Sequence, residues 1–360
     1  MGPLSGVRVI EFSGIGPGPY CAMLLSDLGA DVLRINRAGQ GAAAAHEVPA
    51  RGRRAISLDL KHEAHRASCL ELLERADALI EGYRPGVMER LGLGPDVVLP
   101  RNPRLVYGRL TGWGQDGPLA QAAGHDINYI ALTGALAGIG GREGPPVPPL
   151  NLVGDFAGGS LFLALGIVAA LFEAKSSGKG QVIDAAMIDG AASLMSFFSW
   201  AQADGWATVR RGANFLDGSA HYYRCYECSD GRWISVGAIE PHFYRLLMQG
   251  LGIPEAERPP QSREAWEEGG RFLARIFKTR TRSEWCALLE GKDACVAPVL
   301  ELEEAADHPQ MRARQTFVDA FGVRQPAPAP RFSRTPGQIQ GPPPTVEDTL
   351  ESALSRWSAR

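Results

Sequence analysis

Cysteine is sparse in this chain. Cys21, Cys69, Cys225, Cys228, Cys286 and Cys295 are scattered over 360 residues, which suits reduced thiols and excludes a disulfide-stapled scaffold. Cys225-Tyr-Glu-Cys228 has metal-ligand spacing, but no second such pair follows it. Structural zinc takes four ligands, so the spacing reads as chance and no metal is expected. Positive charge is also lacking. The formal net charge is −3, so no overall field draws the chain to nucleic acid or an anionic membrane. An anionic ligand must be held by local clusters. No uninterrupted apolar run reaches the roughly 18 residues of a spanning helix. The longest, residues 161–172, reads as a buried core helix. The N-terminus enters a strand without a signal core, and the last residues match no sorting address. A cytoplasmic protein without a membrane span is the expectation.

What is present is an ordinary globular composition. A hydrophobic fraction of 45% and a charged fraction of 21% allow a sizeable core, and the length suits two domains. Strand-like runs at 8–12, 31–35, 55–60, 78–81, 105–111 and 182–185 alternate with helical patterns. That alternation implies a mostly parallel sheet covered on both faces, with ligands bound beyond the carboxyl ends of its strands. Residues 126–172 read as helical around a Gly- and Pro-rich loop at 138–149. Residues 191–205 read as one helix. From 222 the pattern changes to two strands, 222–227 and 232–236, followed by helices near 241–251, 263–278 and 282–289. This marks an α+β region. Residues 325–330 and 341–344 read as extended proline-rich linker, with Thr345 and Asp348 capping a terminal helix.

Two short stretches carry the chemistry. Ala-Gly-His-Asp-Ile-Asn-Tyr at 123–129 and Leu-Val-Gly-Asp-Phe-Ala-Gly-Gly at 152–159 each place an ionisable side chain at a Gly-flanked entry to an apolar helix. Such a pair can hold two proton carriers on either side of a small substrate, as inversion by proton transfer requires. At a helix start the positive dipole end keeps the His125 imidazole a neutral base. The plainer readings are a helix-capping His125, an Asp126 stabilised in a first turn, and an Asp155 that is an N-cap. Glu240 stands at the end of an apolar strand before Pro241. It either orients a histidine or is a surface turn residue.

The loop Gly-Ile-Gly-Pro-Gly-Pro at 14–19 departs from the dinucleotide fingerprint, and the second strand ends in Arg34-Ile-Asn-Arg37 with no ribose-binding acid. Nicotinamide binding is therefore not expected. Ser176–Gln181 fails as a phosphate loop, because Lys179 is followed by Gly180. Arg37, Arg53, Arg54, Lys61, Arg84 and Arg90 fall near predicted strand ends and form a candidate phosphate site; singly, each reads as a solvated cation.

Together these stretches resemble the α-methylacyl-CoA racemases of the family III CoA-transferase superfamily. The match runs through 14–19, Leu-Asp-Leu-Lys at 58–61, Glu-Gly-Tyr-Arg-Pro-Gly-Val at 81–87 and Gly-His-Asp-Ile-Asn-Tyr at 124–129. It continues at 149–156, 178–185, 236–241 and 293–299. The resemblance implies an α/β fold: a large Rossmann-like CoA-binding domain, a smaller α+β domain, and an interlocked homodimer. The expected division is 1–200 for the large domain, 201–225 for a linker, 226–310 for the small domain and 311–360 for a return segment on the large domain. It also implies His125 and Asp155 as opposing bases, with Glu240 of the partner chain assisting His125. Arg37, Ser57, Leu58, Asp59, Leu60, Gly82, Tyr83, Arg84 and Arg90 would meet the nucleotide end of CoA. Gly124, His125, Asp126, Ile127, Asn128 and Tyr129 would line the pantetheine and thioester end. The implied reaction interconverts (R)- and (S)-2-methylacyl-CoA in lipid metabolism, with CoA entering as part of the substrate and no separate cofactor. The alternative is a CoA transferase with Asp126 as nucleophile.

Overall fold

The computed structural model describes residues 2–208 and 210–358. The chain divides into two compact units: Met1–Thr133, Leu150–Leu194 and Ala313–Arg360 form the first, Gly134–Pro149 and Met195–Arg312 the second.

The first unit is built on six parallel strands: β1 (Arg8–Phe12), β2 (Asp31–Arg37), β3 (Arg54–Leu58), β4 (Ala78–Glu81), β5 (Val106–Thr111) and β6 (Val182–Ala186). Their order is β3-β2-β1-β4-β5-β6. The central strands are buried on both faces, so they read as continuous apolar runs rather than alternating ones. Ile10, Leu33, Ile56, Leu79 and Tyr107 face one side, with the helix Glu63–Glu74 and the C-terminal helix. Val9, Val32, Ala78, Ile80 and Val106 face the other, with Cys21, Leu25, Leu163 and Ile167 of the covering helices.

Several expectations need correction here. Arg53 and Arg54 do not belong to a phosphate site, because they lie at the start of β3, opposite the ligand-binding edge. Arg53 is buried, forks onto Glu11 (Nε to Oε2, 2.8 Å) and also donates to the carbonyls of Pro19 and Pro49. Arg54 pairs with Asp348 at 2.5 Å. The terminal helix Leu350–Arg356 is capped by Thr349, which accepts the Ser352 amide; Asp348 is spent on Arg54, and Thr345 is not the cap. The proline-rich tail is not plain linker. Of the residues expected as linker, Gln325 and Pro326 end β11 (Val323–Pro326), which pairs with β10 (Phe317–Ala320) in a hairpin, and buried Gln325 accepts from Arg51 at 2.7 Å. Arg51 in turn pairs with buried Asp27. Residues 191–205 hold two helices, Met187–Leu194 and Ser196–Ala203, not one.

Asp155 does not precede its helix. The helix starts at Leu152 as a π-helix, Leu152–Leu161, and continues as Phe162–Ser177. Joined, these make a helix long and apolar enough to cross a membrane by length and composition, although Asp155 interrupts the apolar run in the sequence. Leu163, Ile167, Ala170 and Ala174 bury one stripe of it, the packing of a core helix on a sheet. Leu161, Leu165 and Phe172 stay 48%, 66% and 76% exposed on another.

The second unit carries an antiparallel sheet, β7 (Tyr223–Glu227), β8 (Trp233–Gly237) and β9 (Val296–Pro298). β9 is short and ends in proline, which hid it from the sequence pattern. The helices Pro241–Gly250, Trp266–Phe277 and Arg282–Leu289 accompany the sheet, with Tyr226, Leu247, Leu273, Phe277 and Trp285 in the core. His221 is fully buried there. The Tyr244 hydroxyl donates to the Pro259 carbonyl at 2.7 Å, so at 2.9 Å it receives the His221 Nε2 proton. Burial and the nearby Arg224 charge push the His221 imidazole down to about 4.

Two outcomes are expected. Arg53→Met leaves the Glu11 charge buried without its partner and lowers unfolding stability by about 3–5 kcal/mol in urea titrations; unchanged stability would mean that the pair is not buried. His221 is neutral in the folded state and binds its proton more readily when unfolded. Its contribution is complete above pH 6.5 and is lost as pH falls toward 4, by about 3 kcal/mol in total. Urea midpoints of wild type and His221→Gln across that range test this, and equal slopes would contradict it.

Candidate active site

β1 and β4 are neighbours, but the chain leaves β1 toward β2 and leaves β4 toward β5. The loops therefore part at this point and open a crevice beyond the carboxyl ends of the strands. A cavity of about 560 Å³ lies there. Its wall is made by the loop after β1 (Gly14–Gly18), the loop after β4 (Gly82–Pro85), the end of β5 with Trp113, the segment around Gly124 and His125, and Tyr129, Asp155 and Met187.

His125 is the N-cap residue of the helix Asp126–Leu132 and has extended backbone angles. Its side chain is exposed. Its amide donates to Asn128 Oδ1 at 3.1 Å, and its carbonyl accepts the amides of Asn128 and Tyr129. Tyr129 fixes this turn from inside. Its ring occupies the space beside Gly112 and Gly124, where an added Cβ would come within 2.0 and 2.8 Å of ring carbon. It meets Trp113 edge-on at 4.8 Å, and its hydroxyl donates to the Gly124 carbonyl.

Asp155 enters the same cavity from the π-helix. Burial pushes its carboxyl above the ordinary range, the Asn151 amide opposes this, the Asp126 charge adds to it, and His125 pulls it down. Asn151 Nδ2 lies 3.4 Å from Asp155 Oδ2. Gly16 has a φ of +69°, and a Cβ there would stand 3.3 Å from the same oxygen. The glycine loop thus lets backbone approach a proton carrier. A half-buried acid whose pKa is raised and an exposed imidazole share this cavity, the pairing of groups that general acid–base chemistry uses.

Of the expected contacts, Gly82, Tyr83, Arg84, Gly124, His125, Tyr129 and Asp155 come together in this wall. Asp126 is buried, and its Oδ2 accepts the amides of Gly154 and Asp155 at 2.7 Å each. Ile127 and Asn128 are exposed on the helix outside the wall. Arg37 is exposed at the end of β2. The Ser57 hydroxyl donates to Glu347 at 2.8 Å, Leu58 is core, and Leu60 packs against that core. Asp59 Oδ1 accepts the Lys61 amide at 3.1 Å. Arg90 ends the short helix Val87–Arg90, beside Gly86. Glu240 belongs to the second unit, exposed at the N-cap of Pro241–Gly250. Trp113, Asn151 and Met187 were not anticipated. Asn151 had a legible signal, one helical turn before Asp155; the other two enter only through the tertiary fold.

The profile of CoA-transferase family III matches residues 4–349. The chain is 47% identical to the alpha-methylacyl-CoA racemase of Mus musculus over 97% of this chain and 92% of that one. It is 46% identical to the enzyme of the same name from Homo sapiens, over 92% and 87%. Among solved structures, a CAIB/BAIF family protein from Brucella suis superposes with a TM-score of 0.85 at 24% identity, covering 99% of this chain and 100% of that one, and so shares the fold. The matched profile spans nearly every described residue of the cavity wall and of both units, and the chain belongs to CoA-transferase family III.

Proposed function

We propose that this chain racemises 2-methylacyl-CoA thioesters. The observation that carries the reading is the meeting of His125 and Asp155 in one cavity at the β1/β4 crevice. The likeness to racemases over nearly the whole chain supports it. The thioester makes the α-proton acidic. For the (S) isomer, neutral His125 removes that proton, leaving an enolate, and protonated Asp155 delivers one to the opposite face. The reverse direction exchanges the roles. The amides of Asp126 and Ile127 precede the first backbone bond of the helix Asp126–Leu132 and suit the enolate oxygen. The thioester supplies the acidity and the two side chains move the protons, so the reaction as written calls for no further cofactor.

Arg84 in the wall, with Arg37 and Arg90 on the same sheet edge, would hold the phosphates of CoA, and the segment 57–60 would flank the adenosine. Glu240 of a second copy would assist His125. The exposed stripe Leu161, Leu165 and Phe172 is the kind of apolar face a second copy covers. A transferase reading needs a nucleophilic carboxylate. Asp126 is buried with one oxygen already taken by two amides, which makes it a poor nucleophile.

His125→Ala and Asp155→Ala should each lose racemisation by about 10²–10⁴-fold. Each should still exchange the α-proton of one stereoisomer in deuterated water. Normal racemisation by both variants would end the assignment, and a covalent acyl or CoA adduct on an aspartate in mass spectra would favour transfer. For the shared site, co-expressed Glu240→Ala and Asp155→Ala chains should regain activity that neither has alone. No regain would place Glu240 outside a partner's site.

A further inference from the structure

Asp126 stands next to His125 in the chain, yet its carboxylate is turned to the other proton carrier. The two amides it accepts, those of Gly154 and Asp155, belong to the first turn of the π-helix. First-turn amides have no partner within a helix, and i→i+5 bonding leaves one more such donor than an α-helix does. One oxygen of a buried carboxylate satisfies both. The fit is close: a Cβ on Gly154 would fall 2.7 Å from Asp126 Oδ2 and 2.9 Å from Cγ. Asp126 Oδ1 is buried without a hydrogen-bond partner. The carboxylate is therefore held only from the π-helix side. Resting on the racemase reading, we propose that Asp126 is a positioning residue whose carboxylate ties the start of the π-helix to the start of the His125 helix and fixes the spacing of the two proton carriers.

The side chain touches no substrate in this role and lines no part of the cavity. Its charge has a second consequence, because it lies close enough to Asp155 to hold that carboxyl up. Anchoring and charge separate in Asp126→Asn, whose amide oxygen can still accept both N–H groups while the charge is gone. Asp126→Ala loses both. Gly154→Ala displaces the carboxylate from the other side and leaves its charge in place.

The test measures kcat, KM and pH profile for racemisation of a 2-methylacyl-CoA, together with amide hydrogen exchange at Gly154 and Asp155. Asp126→Ala and Gly154→Ala should each lower kcat by about 10²-fold, the cost of a misplacement near 1 Å. KM should hold, and the two amides should exchange faster. The double variant should lose much less than the product of the single losses, since both break one contact. Asp126→Asn should recover most of kcat and keep the amides protected, but move the Asp155 limb of the profile to lower pH. If Asp126→Ala does not fold, Gly154→Ala decides. Wild-type kcat in folded Asp126→Ala or Gly154→Ala, or unchanged amide protection in either, overturns the proposal. Wild-type enzyme that exchanges no α-proton, with the two amides still protected by Asp126, overturns the racemase reading and the positioning role with it.

Discussion

Two helices begin at one point, and a buried carboxylate holds their first turns together. The helix Asp126–Leu132 and the π-helix Leu152–Leu161 both present their N-termini at the cavity, where the earliest amides have no partner within their own helix. Bringing two positive helix ends together is unfavourable unless a negative charge lies between them. Asp126 supplies it. Asp155 is then anchored through its own amide, and His125 stands next to the residue whose side chain makes the anchor. Proton transfer to and from one carbon tolerates little positional error, so this anchoring matters more to the proposed chemistry than the flexible contacts a CoA tail would make.

The parallel sheet fixes where this can happen. The loops after β1 and β4 diverge because the strand order reverses between them, and Gly16 lets the 14–18 loop approach Asp155. Beneath the site, charged residues are used as structure. Arg109 pairs with buried Glu81 and with Glu89, and Arg53 forks onto Glu11. These pairs occupy Arg109 and Arg53, and the proposed phosphate contacts fall to Arg84, Arg37 and Arg90. The same contrast separates the two histidines discussed above: His125 is exposed at the cavity, and His221 is sealed in a core.

Much of this was legible in the sequence. Short apolar runs located all six parallel strands; the central ones, buried on both faces, leave the clearest signature, and the edge strand β6 a weaker one interrupted by Asp184. The Gly-flanked His125 and Asp155 stood out because ionisable side chains at apolar helix entries need a reason. Other features depended on tertiary contacts that no local pattern encodes. Arg53 and Arg54 look like any basic pair after a turn; only Glu11 and Asp348, brought from elsewhere in the chain, show that they are spent. The π-helix could not be read, since no local pattern marks its register and two of its first-turn amides bond to Asp126, distant in the chain. The hairpin at 317–326 was hidden because its second strand runs into Pro326 and the proline-rich stretch after it.

The central claim is geometric: an imidazole and a carboxyl flank one tetrahedral carbon. A crystal structure of the enzyme with a bound 2-methylacyl-CoA, or a non-exchanging analogue, measures this most directly. The account predicts His125 Nε2 or Nδ1 and an Asp155 carboxyl oxygen within about 3–3.5 Å of the α-carbon substituents on opposite faces. Both groups on one face, or an α-carbon bound away from either of them, would contradict it.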